Sequence, residues 1–482
     1  MPRLKNITWR DTAGGVVQKI SSDPGIYLKN AVPFSMNMLF EEHLGEATSR
    51  TGTAILNAQQ SAGNTCEGLF QHIDSTLANS KLFAAFNGTL HDVIDGTANQ
   101  ASLTAGNKFY FTTFLNTTLA LNGTDTYAYD SINGWHTSGQ ALRPNQMPAG
   151  AKYPIEFLDR MYAVVTDRIY YSTTPIGGAI SWTNIGSGSL QAEQEDGGGT
   201  IQGVSKVPGY MMIFKERSLK RWNTQSTFPE DLVRVGTQSQ ASIVTAKGRN
   251  FFFYGPNGFY ETNGGYPTLI SRPVQRIIDA IPESAYKNIY GWSDDEHCWW
   301  FLGDLTIDFD RGYTEAYSNV GLRYTIRSQQ WAPLQWGNNL SFLHQYVTSG
   351  TPTAVIAGDN DGNVLKLNTG TTDYGGLAIN YILQSPEFDF GNRSKLKTIS
   401  DSIIVHHDRA TGAVLEARLD YGEWKQIGSL DRDIVAEVNL SEVLYCNVAE
   451  FRITDMISNE QIKIRGLDLP NVFITDQTSL EV

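Results

Sequence analysis

Cysteine is scarce. Cys66, Cys298 and Cys446 are the only three in 482 residues, they lie far apart, and none forms a CxxC pair. That count excludes a disulfide framework and a cysteine zinc site, and free buried thiols made in a reducing cytoplasm are the expectation. Positive charge is also short, with 37 Lys and Arg against 50 Asp and Glu, a net charge of −13. A protein that grips nucleic acid through its phosphates normally carries the opposite balance, so the charge disfavours tight sequence-independent binding. Charged residues of both signs reach only 18%, below the roughly 25% of ordinary globular chains. Neutral polar surfaces, partly covered by other subunits, are expected from that deficit. Long apolar runs are missing: the densest, 298–302, falls far short of the roughly 18 residues of a membrane-spanning helix, and no membrane span is expected. The opening MPRLKNITWRDTAGG lacks a signal peptide's apolar stretch, so secretion is not expected.

Helical periodicity is rare, and the helix candidate is 277–290. Short runs of Val, Ile, Tyr, Phe and Thr alternate instead with Asn-Gly, Asp-Gly and Gly-Gly. These are antiparallel hairpins, at 81–96 around Asn87-Gly88, at 109–129, 160–172, 211–222, 251–261 and 354–367. A tryptophan closes units at Trp135, Trp182 and Trp222, and again at Trp331. Periods of about 40–50 residues, each with short strands and a late aromatic, are the pattern of β-propeller blades. One small sheet cannot cover both its faces, so bulky residues pack blade on blade around a ring. The fold class is therefore all-β: a β-propeller of five to seven blades over 61–375, an N-terminal arm or platform over 1–60, and a β-sandwich over 376–482. The glycines of 368–376 mark the linker, and the longer alternating strands beyond it mark the sandwich.

Motifs that carry chemistry are absent as well. GxxxxGK[ST], HExxH and GxSxG do not occur, and Gly197-Gly198-Gly199 does not extend into a dinucleotide fingerprint. No cofactor and no catalytic or metal-ligating set is assigned. Asp359-Asn360-Asp361-Gly362-Asn363 has the look of a calcium loop, but it lacks the closing Glu and reads as a tight hairpin. The adjacent Trp299 and Trp300 should alternate, one between blades and one toward a partner. Acids that a propeller enzyme could use are Asp130, Asp159, Asp294, Asp295 and Glu296, each at a turn.

Three stretches point further: 33–56 (PFSMNMLFEEHLGEATSRTGTAIL), 153–182 (YPIEFLDRMYAVVTDRIYYSTTPIGGAISW), and 207–279, which ends in a short Ile-Ile-Asp helix. Together they resemble the tail-nozzle or tail-hub proteins of short-tailed bacteriophages, the packaged-DNA stabilisation and tubular tail proteins. The resemblance implies a non-enzymatic structural virion protein, built into the tail after assembly in the host cytoplasm. It further implies a homo-hexameric ring below the phage adaptor ring, extending the DNA exit channel and retaining packaged DNA until ejection. Tail fibre or spike proteins would attach at its sides, and DNA would pass without sequence-specific contact. The chain is shorter than the tubular tail proteins and lacks their insertions, so no fibre-docking residue carries over. For the lumen or gate, the candidate is the glycine-rich acidic loop with Gly186, Gly188, Glu193, Glu195, Asp196, Gly197, Gly198 and Gly199. The alternatives are a glycosidase or lyase-type depolymerase and a carbohydrate-binding tail adhesin.

Overall fold

The computed structural model describes residues 7–10, 12, 15–17, 32–40, 45–75, 80–96, 103–139, 141–192, 197–309, 313–348, 351–391, 393–410, 412–431, 434–455 and 461–475. Among them, seven small antiparallel sheets follow one another along the chain. Their first strands are Cys66–His72, Tyr110–Phe114, Lys152–Phe157, Ile201–Val207, Val244–Ala246, Tyr290–Ser293 and Leu340–Thr348. Each of these touches the next, and the seventh returns to the first, so the ring closes. The molecule is a seven-bladed β-propeller with a β-sandwich attached to it.

Turn chemistry sets the blades. Asn87 and Gly88 both take positive φ, and the hairpin Lys81–Phe86 with Thr89–Asp92 turns there. The tryptophans then do what their spacing implies. Trp135 of blade 2 lies edge-on to Phe83 of blade 1, with centroids 4.9 Å apart. Trp222 of blade 4 meets Tyr162 of blade 3 at 6.0 Å, and Trp331 of blade 6 meets Phe259 of blade 5 at 5.6 Å. Trp299 and Trp300 are both buried, which corrects the expectation that one faces a partner. Trp300 packs toward blade 5 and donates to the Ser242 carbonyl at 3.0 Å; Trp299 packs in the core shared with blade 7. The helix candidate shrinks to Gln275–Asp279, because Pro282 ends it and a 3₁₀ segment, Glu283–Asn288, follows.

The N-terminal residues do not stand apart as an arm. Ala54–Ile55 is the outer strand of blade 7, paired through Ile55 with Leu365 and Ala54 with Lys366. Before it, Ile7–Arg10, Met38–Phe40 and Ala47–Ser49 join a sheet with Lys463–Leu469, Ser402–Asp408 and Val435–Asn439. Phe34–Met36 joins the second large sheet, with Tyr381–Gln384, Ala449–Asp455, Val414–Leu419 and Lys425–Ser429. Both ends of the chain therefore build the sandwich, and the N-terminal end also closes the ring.

Propeller and sandwich share one hydrophobic core. In blade 6 the middle hairpin, His297–Asp308 with Thr314–Thr325, is 12 residues per strand, long enough to project beyond the blade. Its Leu305, Ile307, Phe309 and Tyr317 lie in the same core as Phe34, Leu383, Val405 and Phe451. Phe34 meets Phe309 edge-on at 4.8 Å. Around this apolar contact, Glu315 accepts from Tyr313, Tyr317 and Arg452, the last at 2.9 Å. Arg452 in turn holds Glu416 and lies over the Trp424 ring at 4.6 Å.

The chain leaves the propeller where it entered. Arg50, with a side chain 4% exposed, pairs with Asp373, 2% exposed. All five of its N–H donors have acceptors: Asn37 Oδ1, the Thr51 and Gln335 carbonyls, and both Asp373 oxygens. Asp373 also accepts from Gly337 N at 2.8 Å. The glycines of 368–376 are thus no loose linker: Thr369 N bonds the Gly52 carbonyl and Gly52 N the Gly370 carbonyl.

Asp373→Ala leaves a buried guanidinium without its counter-charge, and should lower unfolding free energy by about 3–5 kcal/mol in denaturant titration. Glu156→Gln, which breaks the exposed pair with Lys206, should change it by less than about 1 kcal/mol. A chain begun at residue 57 loses the outer strand of blade 7 and four strands of the sandwich. It should be recovered insoluble or melt well below the full chain by circular dichroism.

Candidate functional site

Blades stand radially, so only side chains at the inner edge reach the axis. Two contacts there join blades that are not neighbours, and such contacts must cross the axial tunnel. Tyr110 of blade 2 packs edge-on against Phe342 of blade 7, centroids 6.2 Å apart. Lys108, just ahead of Tyr110, places Nζ 4.6 Å from the centre of the Tyr290 ring of blade 6 and donates to the Lys287 carbonyl and Asn288 Oδ1. Tyr153 meets Tyr110 at 4.9 Å and Tyr290 meets Phe342 at 4.9 Å. The propeller axis is thereby crossed by rings from blades 2, 3, 6 and 7.

The electrostatics follow from burial. Desolvation pushes the Tyr110 phenol well above its usual range, with neighbouring Tyr153 and Tyr290 adding to it. Tyr153 is pushed up to about 12, also by burial. The same cause lowers Lys108 to about 8, and on the wall beside Phe70, 5.3 Å away, it lowers His344 to about 4. These phenols stay neutral and hydrophobic at physiological pH. The arrangement crosses the tunnel with rings and one lysine.

The acids picked from the sequence are spread over different blades and hold their own turns. Asp130 of blade 2 accepts from the N–H groups of Ile132 and Asn133, at 3.0 and 2.8 Å, and its other oxygen faces His136 at 3.1 Å. Burial works to raise its pKa, but those hydrogen bonds outweigh it and keep the carboxyl below its usual value. Asp294 of blade 6 does the same for Glu296 and His297, accepting from their N–H groups at 2.9 and 2.6 Å. Asp159 and Asp295 sit at turn positions of positive φ, 58° and 70°. Asp159 belongs to the first hairpin of blade 3, and Glu296 to the turn that Asp294 holds.

Asp359 resembles a calcium ligand only in sequence. Its Oδ1 accepts from Asp361 N at 2.9 Å and Asn363 N at 2.8 Å, and its Oδ2 from the amides of Asn363 and Asn338. Four donors occupy its lone pairs, as a hairpin cap requires. Gly362 has φ of 80°, and a Cβ there would fall 1.9 Å from the Ser61 carbonyl oxygen. The turn thus holds the segment that follows the ring-closing strand. Among the described residues, no group of three or more His, Cys, Asp or Glu is placed to hold a metal.

The candidate gate is not one loop. Gly188–Gln191 forms the outer strand of blade 3, paired with Arg168–Tyr171, so Gly186 and Gly188 lie at one end of it and Gly197, Gly198 and Gly199 beyond the other. A short β-strand was hidden among the glycines. Gly198 accepts from Arg217 N at 2.9 Å, and Thr200 Oγ1 donates to Glu216 at 3.0 Å, which fixes this end on the hairpin turn of blade 4. Glu193, Glu195 and Asp196 lie outside the described residues. A cavity of about 230 Å³ between blades 7 and 1, lined by Gln71, Ile73, Leu82 and Tyr346 among others, contains no carboxylate or histidine.

Sequence reasoning missed the axial plug. Its tyrosines stand on strands whose other aromatics are ordinary blade packing, so spacing alone does not separate them. No protein-family model and no curated protein matches the chain. Solved structures similar to it include BamB from Moraxella catarrhalis, at 10% identity and TM-score 0.37, covering 67% of this chain and 98% of that one. U3-55K, at 7% identity and TM-score 0.41, covers 67% and 100%, and the AfRom2 CNH domain, at 11% and 0.40, covers 66% and 99%. At this level of similarity they bear on neither site nor function.

Desolvation keeps His344 neutral when folded, and the side chain titrates near 6.5 when unfolded. The unfolded chain alone takes up that proton between pH 6.5 and about 4. Stability is therefore intact above pH 6.5 and falls as pH drops through that window, by at most about 1.4 kcal/mol per pH unit for one group. His344→Phe should flatten the decline in a melting-temperature series, leaving the smaller share of His72 and His91, whose pKa values burial also lowers.

Proposed function

We propose that the chain is a structural, non-catalytic subunit of a ring at the distal end of a short phage tail. The observation that carries this reading is the axis crossed by rings. A propeller enzyme gathers its acids around the tunnel mouth, and here rings from four blades and a lysine occupy the tunnel. A subunit that binds no small substrate has no need of that space, and packing it stiffens the wheel. Six such wheels would leave the DNA channel between subunits, since no strand of DNA fits through a closed propeller axis. The shared core of propeller and sandwich supports the same reading, because a rigid block transmits load between neighbouring subunits. The stretches 33–56, 153–182 and 207–279 resemble tail-nozzle proteins, and an acidic chain lets phosphates slide past.

Negative-stain images of the purified protein should show six-copy rings, and antibodies against it should decorate the tail tip of virions. Incubation with host-surface polysaccharides should give no cleavage. Turnover that disappears with Asp159→Asn or Glu296→Gln would instead establish the depolymerase.

A further inference from the structure

An open sheet edge offers a row of unpaired N–H and C=O groups to any passing strand, so edges are normally guarded. Several edges of this molecule show such guards. Outer blade strands are short, as at Gly134–His136 and Thr268–Leu269, or charged, as at Glu230–Val233, where Glu230 and Asp231 pair with Arg221 and Lys220. In the sandwich, Lys425–Ser429 opens on an exposed lysine and pairs through a bulge. Met38–Phe40, at one end of the six-stranded sheet, lies against blade 6, and Asn37 N beside it donates to the Pro333 carbonyl.

The other end of that sheet has none of these devices. Its edge strand is Val435–Asn439, paired on one side with Ser402–Asp408. His407 N donates to the Ile434 carbonyl and Leu440 N to the Asp401 carbonyl. The alternation of an antiparallel ladder then turns the N–H and C=O groups of Val435, Glu437 and Asn439 outward, and among the described residues these groups have no partner. The edge is flanked by apolar side chains: Ile434 is 64% exposed and Tyr445 55%, with Val435 and Val443 also exposed. From 434 to 446 the chain has no Lys, Arg, His or Pro, and its charges are Glu437 and Glu442. Glu437 is exposed, and Ser402 Oγ donates to its Oε1 at 2.8 Å, which holds the carboxylate at the edge.

We infer that Val435–Asn439 is a docking edge for an extended segment of another protein, which adds a strand to this sheet and carries Lys or Arg among β-branched residues. The unpaired backbone fixes the first part, since only an extended chain supplies donors and acceptors at strand spacing. Charge fixes the second part. A cation across the new pair compensates Glu437, whereas a carboxylate there repels it. The same rule counts against a second copy of this chain. Pairing all three outward residues with themselves centres the contact on Glu437, which sets two glutamates directly opposite each other, between copies that each carry −13. Nucleic acid finds no cation on this edge. The inference does not rest on the ring proposed above.

Fluorescence anisotropy tests it with two labelled heptapeptides, TVKVKVT and TVEVEVT, on the full chain and on Asn439→Pro and Glu437→Lys. Proline at 439 removes an outward N–H and no ladder bond, and both positions are exposed, so melting curves should stay close to the wild type. The expected result is that the wild type binds the lysine peptide roughly fivefold or more tightly than the glutamate peptide. Asn439→Pro should weaken that binding by a similar factor, roughly fivefold, and Glu437→Lys should reverse the preference. No binding of the lysine peptide up to about 1 mM, binding indifferent to Asn439→Pro, or a preference that Glu437→Lys leaves in place overturns the inference. Sedimentation velocity supplies the remaining arm: wild-type pairs that Asn439→Pro abolishes make the occupant a second copy and overturn the assigned partner. Six-copy rings are read in the same runs, and their presence or absence decides the ring without altering the peptide result.

Discussion

The architecture depends on one buried guanidinium. A ring of blades must be closed, and here closure uses a two-residue outer strand, Ala54–Ile55, too short to hold by its own hydrogen bonds. Arg50 stands four residues before it and ties together the N-terminal segment at Asn37, the blade 6 carbonyl at Gln335 and the departing chain at Asp373. A guanidinium suits this place because it offers five donors in a rigid plane and stays charged when buried. The desolvation cost is met by complete satisfaction of its donors, with the Trp336 ring 5.6 Å away on one side.

From that clamp follows the union of propeller and sandwich. Because both chain ends return to the same place, the strands before and after the wheel lie side by side and pair into common sheets. The projecting hairpin of blade 6 then drives Phe309 and Tyr317 into those sheets, so the two bodies cannot separate without exposing one continuous core. The axial plug works in the same direction. Shape is fixed in the centre by rings and at the edge by the clamp.

Blade periodicity was legible because it is local. Asn-Gly turns, alternating strands and a late tryptophan are chosen by the physics of a single hairpin, and Trp135, Trp222 and Trp331 pack across blades as that physics requires. Segments without such a local signature were misread. Gly188–Gln191 passed for loop because glycine and serine surround Leu190, and its strand state comes from pairing with Ile169. Residues 1–60 passed for an arm or platform because strands such as Ile7–Arg10 and Ala47–Ser49, whose partners lie some 400 residues away, leave no trace in their own sequence.

The sequence by itself determined the all-β class, the hairpin turns, the free buried thiols and the shortage of charge, since each is a matter of composition or of residues within one turn of chain. Only the tertiary structure decided that there are seven blades, that the seventh is closed from the N-terminal side, and that rings from four blades cross the axis. The physical reason is range. Turn and strand preferences act over a few residues, whereas ring closure and the partners of Arg50 are fixed by contacts between residues hundreds apart.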